Sequence, residues 1–315
     1  MKHTLKITLI LLSMFFITQL IGLFVVKSYS PQQFSIYNET TGQYENVTVK
    51  KDLPLGLEPP ETEPEISLIS IIISMIIAIV LILLLMKIKA TLFLRIWFLV
   101  VVIIALAITL NAFFSFIPLY SLVVALVISI PLSIYKIFKR NFLVHNFTEL
   151  LIYPGIAAIF VSMLSIWSVV ILLVLISVYD IYAVWHSGFM QKMAKFQINQ
   201  LKLFAGFFVP VLGKKQKIEL QKAKAKNLKN KKIKVNLAIL GGGDIIFPII
   251  TAGVVLRTFN IFSALIISVF ATLALLYLFT ISIKGKFYPA MPYITAGLIL
   301  GIVLVYVLNW LNIIV

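Results

Sequence analysis

Long apolar runs separated by short polar stretches fill the chain from end to end. Ile66 to Met86 and Val235 to Leu256 are each long enough to cross a hydrocarbon core, which takes roughly 20 apolar residues as helix. Read against charge and turn residues, the pattern predicts nine helices, at about 5–26, 66–86, 92–110, 113–135, 147–163, 165–187, 235–257, 261–283 and 290–313. The run 147–187 is interrupted only by "VSMLS" and is too long for one span, so it reads as two helices joined tightly. In lipid every backbone polar group must be satisfied within the segment, and strands of roughly ten residues with alternating polarity are not seen. The expected fold is therefore an all-α polytopic membrane protein with nine transmembrane helices. Composition agrees, with 61% hydrophobic residues and a mean hydropathy of +1.08 against about half apolar in soluble domains. The first run, Leu5 to Val26, is longer than a signal-peptide core and lacks an A-x-A site after it, so it reads as a retained helix.

Charge orients these spans. With the N-terminus in the cytoplasm and the C-terminus outside, 23 of the 27 Lys and Arg fall on the cytoplasmic side, leaving Lys27, Lys50, Lys51 and Arg257 outside. Much of the formal net charge of +16 is thus topology. The stretch "GKKQKIELQKAKAKNLKNKKIK" (213–234) reads as a solvated cytoplasmic loop that can touch anionic lipid. No aromatic residues interleave with its lysines to stack on bases, so nucleic acid is not an expected partner. The outer loop 27–65 is acidic, holding Glu39, Glu45, Asp52, Glu58, Glu61, Glu63 and Glu65, with sequons at Asn38 and Asn46. The chain has no cysteine, which removes disulfides and thiol nucleophiles. His3, His145 and His186 are scattered, so no metal site is expected.

Four acids remain. Glu149 falls at a predicted helix boundary and Glu219 in the lysine loop, while Asp180 and Asp244 lie within apolar runs. Asp180 sits in "ISVYDIYAVW" (176–185), about seven residues before the cytoplasmic end of its helix. Asp244 sits in "LGGGDIIFP" (240–248), about nine residues after the start of the next. At 1.5 Å per residue both are roughly 10–14 Å below the same face, on helices that follow one another and so tend to pack together. Carboxylates in a membrane cost several kcal/mol and mark function by default. Two facing carboxylates a few ångströms apart cannot both ionise, so they hold one shared proton. The ionised member can deprotonate a water attacking a peptide carbonyl, and the protonated one can donate to the developing oxyanion. Gly241, Gly242 and Gly243 leave space beside Asp244 for water and an extended peptide. Tyr179 offers either a hydroxyl beside Asp180 or a packing surface. A proton- or cation-coupled transporter or channel also uses paired acids, and Pro248, Pro289 and Pro292 could mark broken helices, though no internal repeat is evident.

Tyr179-Asp180, Gly241-Gly242-Gly243-Asp244 and "YPAMPY" (288–293), in that order on the sixth, seventh and ninth predicted helices, resemble the YD, GxGD and PAL motifs of the presenilin and signal peptide peptidase family of intramembrane aspartyl proteases. The resemblance implies a presenilin-type bundle and an aspartic endopeptidase that cleaves transmembrane helices of other membrane proteins without a cofactor. It implies Asp180 and Asp244 as the catalytic pair, and Pro289, Ala290 and Met291 as a loop shaping the site. Met291 stands where the motif has leucine. Residues 1–164 would carry helices one to five, and 165–315 the catalytic helices six to nine with the cytoplasmic loop 188–234. That loop is short beside those of animal presenilins, so accessory subunits are not expected to be required. The compact chain resembles microbial, archaeal-type members residing in the cell membrane. A prepilin-type peptidase shares a GxGD-like aspartate but resembles a shorter chain without the PAL loop.

Overall fold

A computed structural model of the chain describes residues 5–38, 43–49, 52–57, 64–88, 90–117, 120–139, 141–186, 204–211, 236–283 and 288–313. The lysine-rich stretch 213–234 lies outside the described residues. Nine α-helices are present among them: α1 (Leu5–Tyr29), α2 (Pro64–Lys87), α3 (Thr91–Phe113), α4 (Ser121–Phe138), α5 (Phe142–Val161), α6 (Ile166–Trp185), α7 (Gly242–Thr258), α8 (Ile261–Ile281) and α9 (Met291–Trp310). Eight are long and apolar enough to cross a membrane, and the ninth, α7, has 17 residues. The protein is an all-α, multi-pass integral membrane protein.

Local chemistry explains where several helices begin. The Asn141 side chain accepts from the main-chain N–H groups of Leu143 and Val144, so α5 starts at Phe142 and not at the expected 147. Glu149 is consequently well inside α5 and 1% exposed, rather than at a boundary. Ser165 caps α6 by accepting from Ser168 N–H, which splits the long run as expected. Asn260 does the same for α8.

Two antiparallel hairpins interrupt the helical pattern, and the hydropathy reading missed both. In the acidic loop β1 (Gln32–Asn38) pairs with β2 (Gln43–Val49). Across the lysine loop β3 (Gly206–Val211) pairs with β4 (Asn236–Gly241), with Gly206 opposite Gly241. The run expected as one helix from 235 is therefore strand up to Gly241 and helix afterwards. Asp244 lies in the first turn of α7, not nine residues into a helix.

The core is organised around α7, which touches α1, α5, α6, α8 and α9. Ile245, Ile249 and Ala252 are fully buried and Ile250, Val254 and Val255 nearly so, the all-round burial expected of a helix that meets little lipid. A smaller cluster of Val102, Ala105, Leu106, Ala125, Leu151 and Ile152 joins α3, α4 and α5. There Gly155 lets α5 approach the Ala105 carbonyl so closely that any side chain would collide with it. At the edge, α2 makes its main helix contacts with α3 and α6 among the described residues and exposes Ile69, Ile73, Ile77, Val80 and Leu84 along its length.

Candidate active site

The connection before α9 and the start of α7 bring the two aspartates to neighbouring helices, α6 and α7, which are in contact. Asp180 is 4% exposed, and its Oδ2 accepts from the main-chain N–H of Met291 at 3.0 Å. Met291 is the first residue of α9, where amides have no helical acceptor and the helix dipole favours an anion. The Ala290 N–H also faces this carboxylate. The hydroxyls of Ser177 and Thr295 lie 2.8 Å apart and fix α6 against α9 close to this contact.

Asp244 is half-buried and lies near enough to Asp180 for the two charges to act on each other. The Gly241 N–H faces its carboxylate, and a Cβ at 241 would come within 3.2 Å of Oδ2. The three glycines have different neighbours. A Cβ at Gly242 would meet the Tyr153 ring and hydroxyl at 2.9–3.2 Å, whereas at Gly243 the nearest atom is 3.8 Å away, on Phe247. Gly243 is exposed and Gly242 buried, so the open side of the turn is at 243. Tyr179, 37% exposed, adjoins Asp180 on the outer part of α6. Pro289 is buried and Ala290 half-buried in the bend before α9. Met291 meets Asp180 through its backbone, so the exchange of leucine for methionine leaves that bond intact.

The N-terminal end of α7 is held from several sides. Gln19 of α1 donates to the Ile245 carbonyl at 3.3 Å. Gly242 N–H donates to the Ala205 carbonyl at 3.3 Å, tying α7 to the residue before β3. Pro248 lacks the N–H that would reach back to the main-chain carbonyl of Asp244, yet α7 continues through it unbroken.

A second polar group, which sequence reasoning did not assemble, lies behind β3. Lys136 of α4 donates to Glu149 Oε1 at 2.5 Å and to Thr148 Oγ1 at 3.1 Å, with both members of the ion pair almost fully buried. His145 Nε2 lies 2.9 Å from the Gly206 carbonyl, and Asn146 exchanges two hydrogen bonds with the backbone of Phe208. Lys136 had been counted among the cytoplasmic loop charges; it belongs to the last turn of α4 and is 7% exposed. The available signal was a lone glutamate, Glu149, 13 residues after a lysine and across the short connection from α4 to α5. Among the described residues no three His, Asp or Glu side chains gather in a way that could hold a metal ion.

Fold and site together define a polytopic helical membrane protein with two carboxylates brought together at helix N-termini. The sequence pattern of the family described as signal-peptide peptidase, presenilin aspartyl protease matches residues 52–310, and the chain belongs to that family. It is a membrane-embedded aspartyl protease, and the transporter reading is not favoured. In overall fold it is similar to the structure of a presenilin family intramembrane aspartate protease in space group C222, with a TM-score of 0.60 at 18% identity over 96% of this chain and 99% of that one. A structure of a presenilin family intramembrane aspartate protease in space group P2 gives 0.55 at 18% identity, over 95% and 96%. No curated protein matches the chain in sequence.

Proposed function

We propose that Asp180 and Asp244 are the catalytic pair of this protease, hydrolysing peptide bonds within transmembrane helices of other membrane proteins. The observation that carries the reading is the approach of two lone carboxylates across the α6–α7 contact, one of them fixed by the Met291 amide. One carboxylate is ionised and takes a proton from water as the water oxygen bonds to the scissile carbonyl carbon. The other donates its proton to the carbonyl oxygen. Collapse of the tetrahedral intermediate breaks the C–N bond, and the amine leaves with a proton returned by the pair. A substrate helix must unwind locally first, because its carbonyls are engaged in i→i+4 bonds and its interior has no room for water. Gly243 gives an extended segment its approach to Asp244, and Gly241 and Gly242 keep the turn narrow. Ala290 and Met291 present the amides that hold Asp180, Pro289 fixes the bend that carries them, and Tyr179 borders the entry from α6.

The N-terminus is cytoplasmic and the C-terminus extracytoplasmic, on the strength of the lysine distribution, and the protein resides in a microbial cell membrane. Residues 1–164 serve as scaffold and 165–315 carry catalysis, a division of roles rather than of packing, since α7 is held by α1 and α5. No cofactor or accessory subunit is required. Purified protein in liposomes, incubated with a single-pass helical substrate and analysed by mass spectrometry, is expected to give cleavage within the span. Asp180→Ala and Asp244→Ala should each abolish the products. Continued cleavage by either variant refutes the pair.

A further inference from the structure

Tyr153 of α5 is a buried polar group beside Asp244 that the two-carboxylate reaction leaves unused. It is 2% exposed, with its ring edge-on to Phe207 of β3 at 5.9 Å between centroids. Its other side lies against Gly242, where even a methyl group would come within 2.9 Å of the hydroxyl oxygen. The hydroxyl makes no hydrogen bond of full geometry among the described residues; Glu149 is near enough to act on it as a hydrogen-bonding as well as a charged neighbour, and Asp244 acts on it through its charge. Glu149 is already engaged by Lys136. Buried hydroxyls are nearly always well bonded, so one held loosely between two carboxylates, one of them already committed to a lysine, points to a bond completed in another state of the site.

We propose that Tyr153 is a positioning residue for proteolysis: when substrate enters and the carboxylates close on it, its hydroxyl donates to Asp244. This rests on the reading of Asp244 as a member of the catalytic pair. The titratable groups that act on the hydroxyl are Glu149 from its own helix and Asp244 from α7; Glu149 is in turn met by Lys136 of α4 and His145 of α5, while β3 presents Phe207. Lys136 holds Glu149, so the glutamate does not compete freely for the hydroxyl proton, and Asp244 is left as the partner able to move towards it. A donated bond fixes one Asp244 oxygen and turns the other towards water and Asp180. The same contact explains why position 242 is glycine: its missing side chain makes room for the tyrosine, not for substrate.

The test is Tyr153→Phe in the full chain, which keeps the ring against Gly242 and Phe207 and removes only the hydroxyl. With a helical substrate in liposomes, kcat is expected to fall about tenfold to a hundredfold, the effect of one hydrogen bond to a charged group. KM should stay within about twofold, one limb of the pH–kcat profile should move by about one unit, and the melting temperature should hold or rise, because an unsatisfied group has been removed. Wild-type kcat with an unmoved pH profile overturns the proposal. So does a loss of activity that tracks a lowered melting temperature with the profile unchanged, which would make the tyrosine packing alone. Asp244→Ala in the same assay separates the two claims: cleavage by that variant sinks the catalytic pair itself, whereas its inactivity beside a wild-type Tyr153→Phe sinks only the role of the tyrosine.

Discussion

Replacing Lys136 by methionine should destabilise the bundle far more than its position near the end of α4 would suggest. The ammonium sits 2.5 Å from Glu149 Oε1, with side-chain exposures of 2% and 1%. At that separation and an effective dielectric constant of about 20, the attraction is about 7 kcal/mol. Removing two ions from water costs several kcal/mol each, so the intact pair is worth little in net stability. Loss of one member is different, because Glu149 then keeps its desolvation cost with no compensating charge, and Thr148 Oγ1 loses its donor at 3.1 Å. The expected destabilisation is about 3–5 kcal/mol, or a fall in melting temperature on the order of 10 °C for a chain of this size. Lys136→Met combined with Glu149→Leu removes both charges at similar volume and should recover most of that loss. The two single variants and the double, compared by thermal unfolding in one detergent, close a double-mutant cycle. Where unfolding is irreversible, inactivation rates at fixed temperature serve instead. A Lys136→Met melting point within about 2 °C of wild type, or a double variant no better than the single, would refute the reasoning.

Two further outcomes follow from the turn and the bend. Gly242→Ala forces a methyl group against the Tyr153 ring and should cost about 1–3 kcal/mol together with most activity, while Gly243→Ala, with nothing nearer than 3.8 Å, should leave the melting temperature unchanged; equal melting points for the two would contradict the assignment of their faces. Met291→Leu should retain cleavage within about twofold, because Asp180 is bound by the main-chain amide. A large loss there would show that the thioether side chain matters to the site.

The helices and both aspartates were legible because lipid makes their signals coarse. A span must be apolar for most of its length, and an aspartate inside one is conspicuous by its cost. The start of α7 was not legible. "NLAILG" (236–241) is as apolar as the helix after it, and its strand partner "GFFVPV" (206–211) lies beyond the lysine loop. Periodicity cannot separate a short apolar strand from buried helix, and a pairing so distant in sequence leaves no local mark. Lys136 and Glu149 were read one at a time, as a loop charge and a boundary residue. Their pairing depends on α5 starting early at its Asn141 cap and on α4 running to Phe138. Tyr153 carried no signal at all, since an aromatic residue in an apolar run reads as packing until its hydroxyl is seen to lack a full hydrogen bond.

The missed strand changes how the aspartates are understood. A carboxylate in the middle of a membrane helix has no free amide near it, because every N–H there is taken by the carbonyl four residues earlier. Helix starts are where unclaimed N–H groups and a favourable dipole coincide. Asp244 occupies such a start in person, in the first turn of α7 with the Gly241 N–H beside it. Asp180 is mid-helix in sequence but borrows one, the Met291 amide that opens α9. The strand that shortens α7 to 17 residues and the bend at Pro289 and Ala290 thus answer one requirement, placing a helix N-terminus against each acid. A helix as short as α7 would span lipid poorly by itself. It is tolerated because α1, α5, α6, α8 and α9 surround it, so the packing of its neighbours is what permits α7 to begin at Asp244's own turn rather than a strand's length earlier.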